Sequence, residues 1–344
     1  MRLRRAAFAA AFACLLPTLA ACGGGGTTSS AGDVVPARQT KQFIHAKTSS
    51  VALPIGTLDV HAGKPVDDVP ASDTHDLTAL KAPAGMTYLP ITWRYDDSTT
   101  KTYLQYTGTS ALPTVDLRAG KGSYRLTTPD PAEGTESFYV LVDKSSSHPR
   151  LAVGFDGVTQ QVDLTTGKRD AGRAKGLYAL SHKRLRASKC TGTVDWSEIA
   201  RASQTCRLTG PVLLPYAGGK WAKPGHEWLV MSMRTALTSY TQAGATPGSA
   251  GIYTAQAVKA AYRMGNHRPT ALIPSNDASG TCPDQDTGTC NTDTALIFDV
   301  RDKAPRIKVV LKYRMVLAKG WAGYVGKKSE TVSETARIRL HQPR

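Results

Sequence analysis

The sequence lacks the short motifs by which common hydrolases are recognised. It contains no G-x-S-x-G, the turn that presents a catalytic serine, and no H-E-x-x-H, the zinc-binding helix of metalloproteases. Its eight histidines include no pair at the i, i+2 or i+4 spacing that would place two metal ligands on one face. His226-Glu227 is the most suggestive pair, and we interpret it as a surface turn before a strand. An enzyme would therefore need catalytic groups that meet only in the folded chain.

Long apolar segments are also missing. The best candidate, residues 6–19, is shorter than the roughly 20 residues of a membrane-spanning helix. It follows a start with three arginines and precedes the small residues and cysteine of Leu19-Ala20-Ala21-Cys22. This arrangement is typical of a secretory signal peptide. The alternatives are an uncleaved membrane helix and an ordinary signal with an incidental cysteine.

Leu19-Ala20-Ala21-Cys22 resembles the lipobox of bacterial lipoproteins. The resemblance implies that residues 1–21 are removed and that Cys22 carries a lipid, which anchors the mature protein outside the cytoplasmic membrane. Two or more acyl chains give a stable anchor, because each buried methylene contributes about 0.8 kcal/mol. The glycine, serine and threonine that follow predict a flexible, lipidated tether over residues 22–41.

Acidic residues are scarce relative to basic ones. The chain has 43 Lys and Arg against 27 Asp and Glu, for a formal net charge of +16. Such an excess favours anionic partners. Outside a bacterial membrane these are anionic lipid and wall polymer, so the predicted export argues against nucleic acid as the partner.

Cysteine is limited to six residues, of which Cys14 and Cys22 belong to the signal and its cleavage site. Four remain, and four cysteines in an oxidising compartment allow three disulfide connectivities. Nearness in sequence favours Cys190 with Cys206 and Cys282 with Cys290. A thiolate metal site is the alternative, but it expects C-x-x-C pairs, which are absent.

Period-2 alternation of apolar and polar residues predicts β-strands through most of the chain. Residues 307–314 show it best, because apolar residues there alternate with Lys308, Lys312 and Arg314. Many short strands between turn-rich segments indicate an all-β fold of antiparallel sandwiches. We predict a first β-sandwich over residues 42–172, a basic linker over 173–189 and a second β-sandwich over 190–344. One short helix, residues 255–264, is predicted as an insertion in the second domain, since apolar residues there recur at helical spacing.

Three short patterns occur twice in the same order, which indicates an internal repeat. Residues 56–59 recur at 192–195, residues 85–94 at 225–234, and residues 143–153 at 302–309. The strand pattern, the lipobox and the segments 139–142 and 149–153 resemble immunoglobulin-like sandwich modules of secreted bacterial lipoproteins. That resemblance implies two tandem domains of the same class, although the Cys-Trp-Cys core of true immunoglobulin domains is missing.

Two groups of side chains are candidate binding residues. Oxygen ligands at Asp284, Asp286 and Asp293, with a glycine between them, suit a calcium loop, but the usual terminal Glu is absent and a solvated turn explains the same residues. The other group is basic and is predicted to lie on the outer faces of two strands, so that a basic sheet face forms if the strands are neighbours. Its members are Lys308, Lys312, Arg314, Arg337 and Arg339. The alternative is a solubilising surface.

These observations favour a non-enzymatic, lipid-anchored envelope protein whose second domain binds anionic lipid, wall polymer or a partner protein. A second hypothesis is a substrate-binding or accessory subunit, with Trp93, Trp221, Trp228 and Trp321 lining a cleft between domains. An envelope hydrolase is the third hypothesis. A structural cleft that holds Asp, His and Ser together would favour it.

Overall fold

The structure, a computed structural model, describes residues 29–98, 100–128, 134–190, 192–195, 199–274, 282, 289–301 and 306–341. Asp284, Asp286 and Cys22 lie outside these residues. The regular structure of the described chain is mostly antiparallel β-sheet, with one short α-helix, α1 (Leu104–Thr107), and two 3₁₀ segments at Ala71–Asp73 and Gly172–His182. The predicted all-β class is confirmed. No described helix has the length and apolar character needed to cross a membrane.

The N-terminal half contains twelve strands in three sheets. They are β1 (Val34–Pro36), β2 (Lys47–Leu53), β3 (Gly56–Ala62), β4 (Asp68–Val69), β5 (Leu80–Lys81), β6 (Met86–Asp96), β7 (Thr114–Ala119), β8 (Gly122–Leu126), β9 (Thr135–Asp143), β10 (Arg150–Phe155), β11 (Val158–Asp163) and β12 (Arg169–Asp170). Two five-stranded sheets, with orders β1-β9-β6-β3-β2 and β12-β11-β10-β7-β8, share one core. Leu58 and Ile91 of the first sheet and Leu117 and Val153 of the second are fully buried there. Alternating burial along each strand thus produces a sandwich.

The C-terminal half contains eleven described strands. They are β13 (Arg186–Ala187), β14 (Gly192–Asp195), β15 (Ile199–Leu214), β16 (Tyr216–Ala217), β17 (Lys220–Trp221), β18 (Glu227–Ala243), β19 (Ala250–Met264), β20 (Ala271–Pro274), β21 (Cys290–Val300), β22 (Arg306–Trp321) and β23 (Ser329–His341). The main sheet runs β13-β23-β22-β19-β18-β21-β20, and β15 pairs with the other edge of β18.

This large sheet divides along β18. Residues 227–237 of β18 pair with β21, whereas residues 239–243 of the same strand pair with β19. The two branches face each other across a second core, to which β21 contributes Phe298 and β22 and β23 contribute Val309 and Ile338. The second half is therefore sandwich-like and joined at one end by its longest strand.

The predicted helix at residues 255–264 is wrong. These residues belong to β19, which pairs with β22 along Ala250–Met264 and with β18 at its beginning. Alanine-rich sequence favours a helix, but long-range pairing with the neighbouring strand overrides that local preference. Burial of Tyr262 and Met264 beside exposed Lys259 and Arg263 shows the two-residue period of a strand.

The two halves share part of their strand order. In the first half β6 lies between β3 and β9, and β10 lies between β7 and β11; in the second half β18 lies between β15 and β21, and β22 lies between β19 and β23. The second repeated pattern falls on β6 and β18, and the arginines of the third, Arg150 and Arg306, are the first residues of β10 and β22. The first repeated pattern, residues 56–59 and 192–195, does not occupy equivalent strands. Its first copy lies on β3, which pairs with β6, whereas its second copy lies on β14, which pairs with β23. Its resemblance is confined to the sequence.

A third apolar cluster joins the halves. Tyr103 and Tyr106 of the first half pack with Val212, Leu214 and Trp228 of the second. All of the 3₁₀ segment Gly172–His182 except its first residue lies within the predicted basic linker, yet its Ala174 and Leu177 are buried in the first core. This part of the linker is therefore packed rather than extended through solvent.

Candidate functional site

The strands β22 and β23 are direct neighbours, and the five predicted basic residues lie on their common outer face. Lys308 is paired with Arg337 and Arg306 with Arg339, while the alternating residues Ile307 and Ile338 point into the core. Lys312 and Arg314 continue the same face of β22 and are exposed. Strand alternation thus separates a basic outer surface from an apolar inner surface.

The third strand of this surface, β19, adds two cations that sequence reasoning missed. Arg263 is paired with Lys308 and Lys259 with Lys312, and both are exposed. They were missed because the segment was interpreted as a helix; the alternation of Lys259 and Arg263 with inward Tyr262 and Met264 was the available signal. The complete surface, here called the basic face, consists of Lys259, Arg263, Arg306, Lys308, Lys312, Arg314, Arg337 and Arg339.

The three strands of the basic face carry no carboxylate on their outer side, and one acidic residue borders the face: Asp195 of β14 is paired with Ser333, the residue opposite Lys312. Strands β19 and β22 contain no acidic residue, and the two acidic residues of β23, Glu330 and Glu334, lie on its inward side. Glu334 is 2% exposed, and burial raises its pKa and that of Glu330 above the ordinary value. Burial therefore favours their uncharged forms and weakens their ability to neutralise the cations above them. Within the described part of the chain, no basic-face residue forms an ion pair.

The basic face is elongated. Residues 306 to 314 of β22 span about 27 Å at the usual rise of a strand, and three adjacent strands span about 10 Å across. Cations recur about 7 Å apart along the strand from Arg306 to Lys308 and from Lys312 to Arg314. One row without charge, Ala261, Val310 and Thr335, separates the two groups. The surface resembles a strip rather than a pocket.

The predicted disulfides are present. Cys190 is bonded to Cys206, with their Cα atoms 5.6 Å apart, and Cys282 is bonded to Cys290, with their Cα atoms 4.4 Å apart. Among the described residues no group of three or more His, Cys, Asp or Glu is arranged to hold a metal ion. The calcium hypothesis rests on Asp284 and Asp286, which lie outside these residues.

Asp293, the third predicted calcium ligand, has a different partner. Its Oδ2 accepts hydrogen bonds from Nε and Nη2 of Arg234 on the adjacent strand β18. In the equivalent strand of the first half, Arg94 instead pairs with Asp59 on β3. Each arginine is thus neutralised by a cross-strand carboxylate.

His226 occupies a short polar chain rather than an open catalytic position. Its Nδ1 lies 2.5 Å from Oδ1 of Asp299, and its Nε2 accepts a hydrogen bond from Nε of Arg301 at 2.7 Å. Since Nε2 accepts, Nδ1 carries the proton donated to Asp299. Both ring nitrogens of His226 are therefore hydrogen-bonded to charged side chains.

The predicted aromatic cleft is wrong for three of its four tryptophans. Trp93, Trp221 and Trp228 are buried in the apolar clusters, whereas Trp321 is 40% exposed at the end of β22. A pocket of about 630 Å³ does occur near the junction of the halves. Its lining includes Tyr103, Tyr178, Leu177 and Arg184, and Nε of Arg184 donates to the Tyr103 hydroxyl at 3.0 Å.

Comparisons of the chain with protein-family models, with curated proteins and with solved structures find no match. Its function must therefore be argued from its own surfaces.

Proposed function

We propose that the protein is a lipid-anchored, non-enzymatic component of the cell envelope and that its basic face binds a linear anionic wall polymer. The observation that carries this proposal is the basic face itself: eight exposed cations on three adjacent strands, without a carboxylate among them. Directly opposed like charges destabilise a sheet, so an unneutralised cluster of this size is costly unless an anionic partner offsets the repulsion.

The shape of the basic face favours an extended polymer. A strip about 27 Å long and 10 Å wide is able to contact several successive anionic groups of one chain, and the resulting multivalency compensates for the weakness of each exposed contact. Arginine, which supplies five of the eight cations, forms bidentate hydrogen bonds to phosphate or carboxylate. We therefore assign phosphate-bearing or carboxylate-bearing polymers as the ligand class.

The proposed location rests on the sequence and the disulfides. Two disulfides are compatible with an oxidising, extracytoplasmic compartment. Lipidation of Cys22 would hold the protein at the membrane, and the tether of residues 22–41 would let it reach the surrounding polymer. In this arrangement the protein acts by binding and position and needs no catalytic group.

Binding of poly(glycerol phosphate), measured at increasing NaCl concentration, tests the proposal. If four phosphates are neutralised, the affinity should fall about 50-fold between 50 and 200 mM salt, by analogy with single-stranded polyanions. Charge reversal at four residues should abolish binding: Lys308→Glu, Lys312→Glu, Arg337→Glu and Arg339→Glu. The matched control reverses four exposed cations of the first half and should bind as the unmodified protein does: Lys41→Glu, Lys64→Glu, Lys101→Glu and Lys121→Glu.

Two results would contradict the proposal that the basic face binds an anionic polymer. The first is unchanged polymer binding by the four-residue variant, provided that its thermal unfolding shows an intact fold. The second is a four-residue variant that still binds the polymer but no longer binds phosphatidylglycerol vesicles. That result would make lipid the ligand of the basic face.

The pocket at the junction favours a second candidate function, capture of a small ligand by an accessory subunit. Its volume is in the range of small-molecule sites, and Arg184 is the charged residue of its lining. An anionic ligand such as a sugar phosphate should then raise the melting temperature, and Arg184→Met should remove that increase. A neutral sugar that performs equally well would argue against a role for the guanidinium.

A further inference from the structure

The end of β22 and the loop that joins it to β23 expose apolar side chains beside lysines. We call residues 319–328 the hairpin tip; their sequence is Lys-Gly-Trp-Ala-Gly-Tyr-Val-Gly-Lys-Lys. Val325 is 96% exposed and Trp321 is 40% exposed. Other exposed large apolar residues of the described chain, such as Leu112, lack a neighbouring tryptophan and lysine cluster of this kind in sequence. The hairpin tip therefore offers both apolar and positively charged side chains to a partner within ten residues.

A hydrogen-bonded turn holds the hairpin tip in place. The amide of Tyr324 donates to the carbonyl of Trp321 at 3.0 Å, and Ala322 and Gly323 between them adopt the left-handed conformation. Positive φ at both central residues is typical of the type I′ turn of tight hairpins. Trp321 and Val325 therefore flank a defined turn.

Tyr324 anchors this turn to the rest of the sheet. Its hydroxyl donates to Oε1 of Gln242 at 2.6 Å, and its ring packs edge-on against Tyr253. The Tyr253 hydroxyl in turn donates to the carbonyl of Lys327 at 2.8 Å, and burial raises the pKa of Tyr253 to about 12, which keeps this donor protonated. Because Tyr324 holds the turn in place, the exposed Val325 beside it is already ordered. Its burial by a partner would therefore cost little conformational entropy.

The charge around the exposed side chains is of one sign. Lys319 lies over the Trp321 ring, 5.0 Å from its centroid, and Lys327 and Lys328 close the loop. The sequence from 315 to 329 has no acidic residue, and neither has the adjacent β18–β19 turn, residues 243–250. The next acidic residue, Glu330, is partly buried, and this burial raises its pKa.

An exposed tryptophan with an aliphatic neighbour and flanking lysines suits the interface of an anionic bilayer. The amphipathic indole favours the headgroup level, and lysine stems reach lipid phosphates while their apolar part stays in the interface. We propose that the hairpin tip inserts into the headgroup region of an anionic phospholipid membrane. This proposal is independent of the ligand of the basic face.

The hairpin tip and the basic face are separate surfaces. Trp321 lies seven positions after Arg314 in β22, which corresponds to about 23 Å along the strand. The charges of the two surfaces are closer than that: Lys319 lies five positions from Arg314, about 17 Å along the strand. Lys328 lies about 10 Å from Arg314 along the strands, because the Leu317 amide donates to its carbonyl. This is comparable to the Debye length of about 8 Å at physiological ionic strength, so variants rather than distance must separate the two surfaces. With the tip in the membrane, β22 and β23 would extend the basic face away from the lipid and toward the polymer.

Fluorescence and co-sedimentation with vesicles test the proposal. The chain carries Cys22→Ser so that no acyl chain contributes, and the vesicles contain equal parts of phosphatidylglycerol and phosphatidylcholine. The Trp321 signal, obtained by subtracting the Trp321→Phe spectrum, should shift to shorter wavelength and be quenched by brominated lipid. Vesicles of phosphatidylcholine alone should give a smaller shift, because they do not attract the lysines.

Variants separate the hairpin tip from other causes of binding. Lys327→Glu with Lys328→Glu should weaken vesicle binding by at least about 25-fold, since each lysine near an anionic surface contributes roughly a factor of five. Val325→Asp should also weaken it, whereas the matched control Leu112→Asp, at an exposed leucine of the first half, should not. The absence of a Trp321 shift, or equal losses from Val325→Asp and Leu112→Asp, would overturn the proposal. Loss of vesicle binding only on charge reversal of the basic face would overturn it as well.

Discussion

The basic face should make the free protein less stable than it need be, and Lys308 is the residue at which this effect is greatest. Lys308 lies between Arg263 on β19 and Arg337 on β23, directly opposite both. Directly opposed like charges destabilise a sheet by about 0.2–1 kcal/mol per pair. Lys308→Gln removes two such pairs, and we expect the free energy of unfolding to rise by about 0.4–2 kcal/mol.

Lys312→Gln is the matched comparison. Lys312 is opposed by Lys259 on one side but by neutral Ser333 on the other, so the expected gain is about half, 0.2–1 kcal/mol. Lys308→Glu should exceed both, because each repulsive pair becomes attractive. All three variants should bind the anionic polymer more weakly, so that stability and binding change in opposite directions.

Urea denaturation at about 10 mM and about 1 M NaCl measures the effect. The Debye length falls from about 30 Å to about 3 Å between these conditions, and the gains should disappear at the higher concentration. A gain that persists in 1 M salt would trace to strand propensity rather than charge. Destabilisation by Lys308→Gln at low salt would refute the reasoning, since it would mean that the lysine already has a stabilising partner.

Three further predictions concern the C-terminal half. Replacing Cys190 and Cys206 by alanine should lower the free energy of unfolding by about 3 kcal/mol in non-reducing urea titrations, because the bond closes a loop with a sequence separation of 16; a loss near zero would contradict the loop-entropy estimate. Burial raises the pKa of Glu334, so the stability tied to this group is present below its unfolded pKa and is lost as the pH rises through the folded pKa. Glu334→Gln should therefore reduce this decline in a pH series of unfolding curves, and an unchanged pH profile would show that the carboxyl is not desolvated. EDTA should leave the melting temperature unchanged, because Asp293 is already paired with Arg234; a lowered value restored by Ca²⁺ would instead support the calcium loop.

Local pattern was a good guide where burial alternates along one strand. The alternation in residues 307–314 correctly predicted which side chains of β22 face the core and which face solvent. The same reasoning failed at β19, where alanine and long side chains are compatible with either period. What decides there is pairing with β22, a strand more than forty residues away in sequence.

The sequence identified only part of the candidate site, because the local pattern does not show how distant strands pair. Lys308, Lys312, Arg314, Arg337 and Arg339 could be placed on outer faces from their own strands, but Arg263 and Lys259 join them only through the register of a third strand. Likewise, the sequence predicted the disulfides from proximity, whereas burial of Trp93, Trp221 and Trp228 removed the aromatic cleft.

By itself the sequence determined the all-β class, the disulfide partners and the excess of positive charge, because periodicity, short loop closure and composition are local or additive properties. The lipobox resemblance at Cys22 is a prediction of the same local kind. Only the tertiary structure decided that eight cations share one face, that Glu330 and Glu334 point away from it, and that Tyr324 fixes an exposed valine at the hairpin tip. These features depend on register between strands distant in sequence, and register is set by the burial of the whole sheet rather than by any one segment.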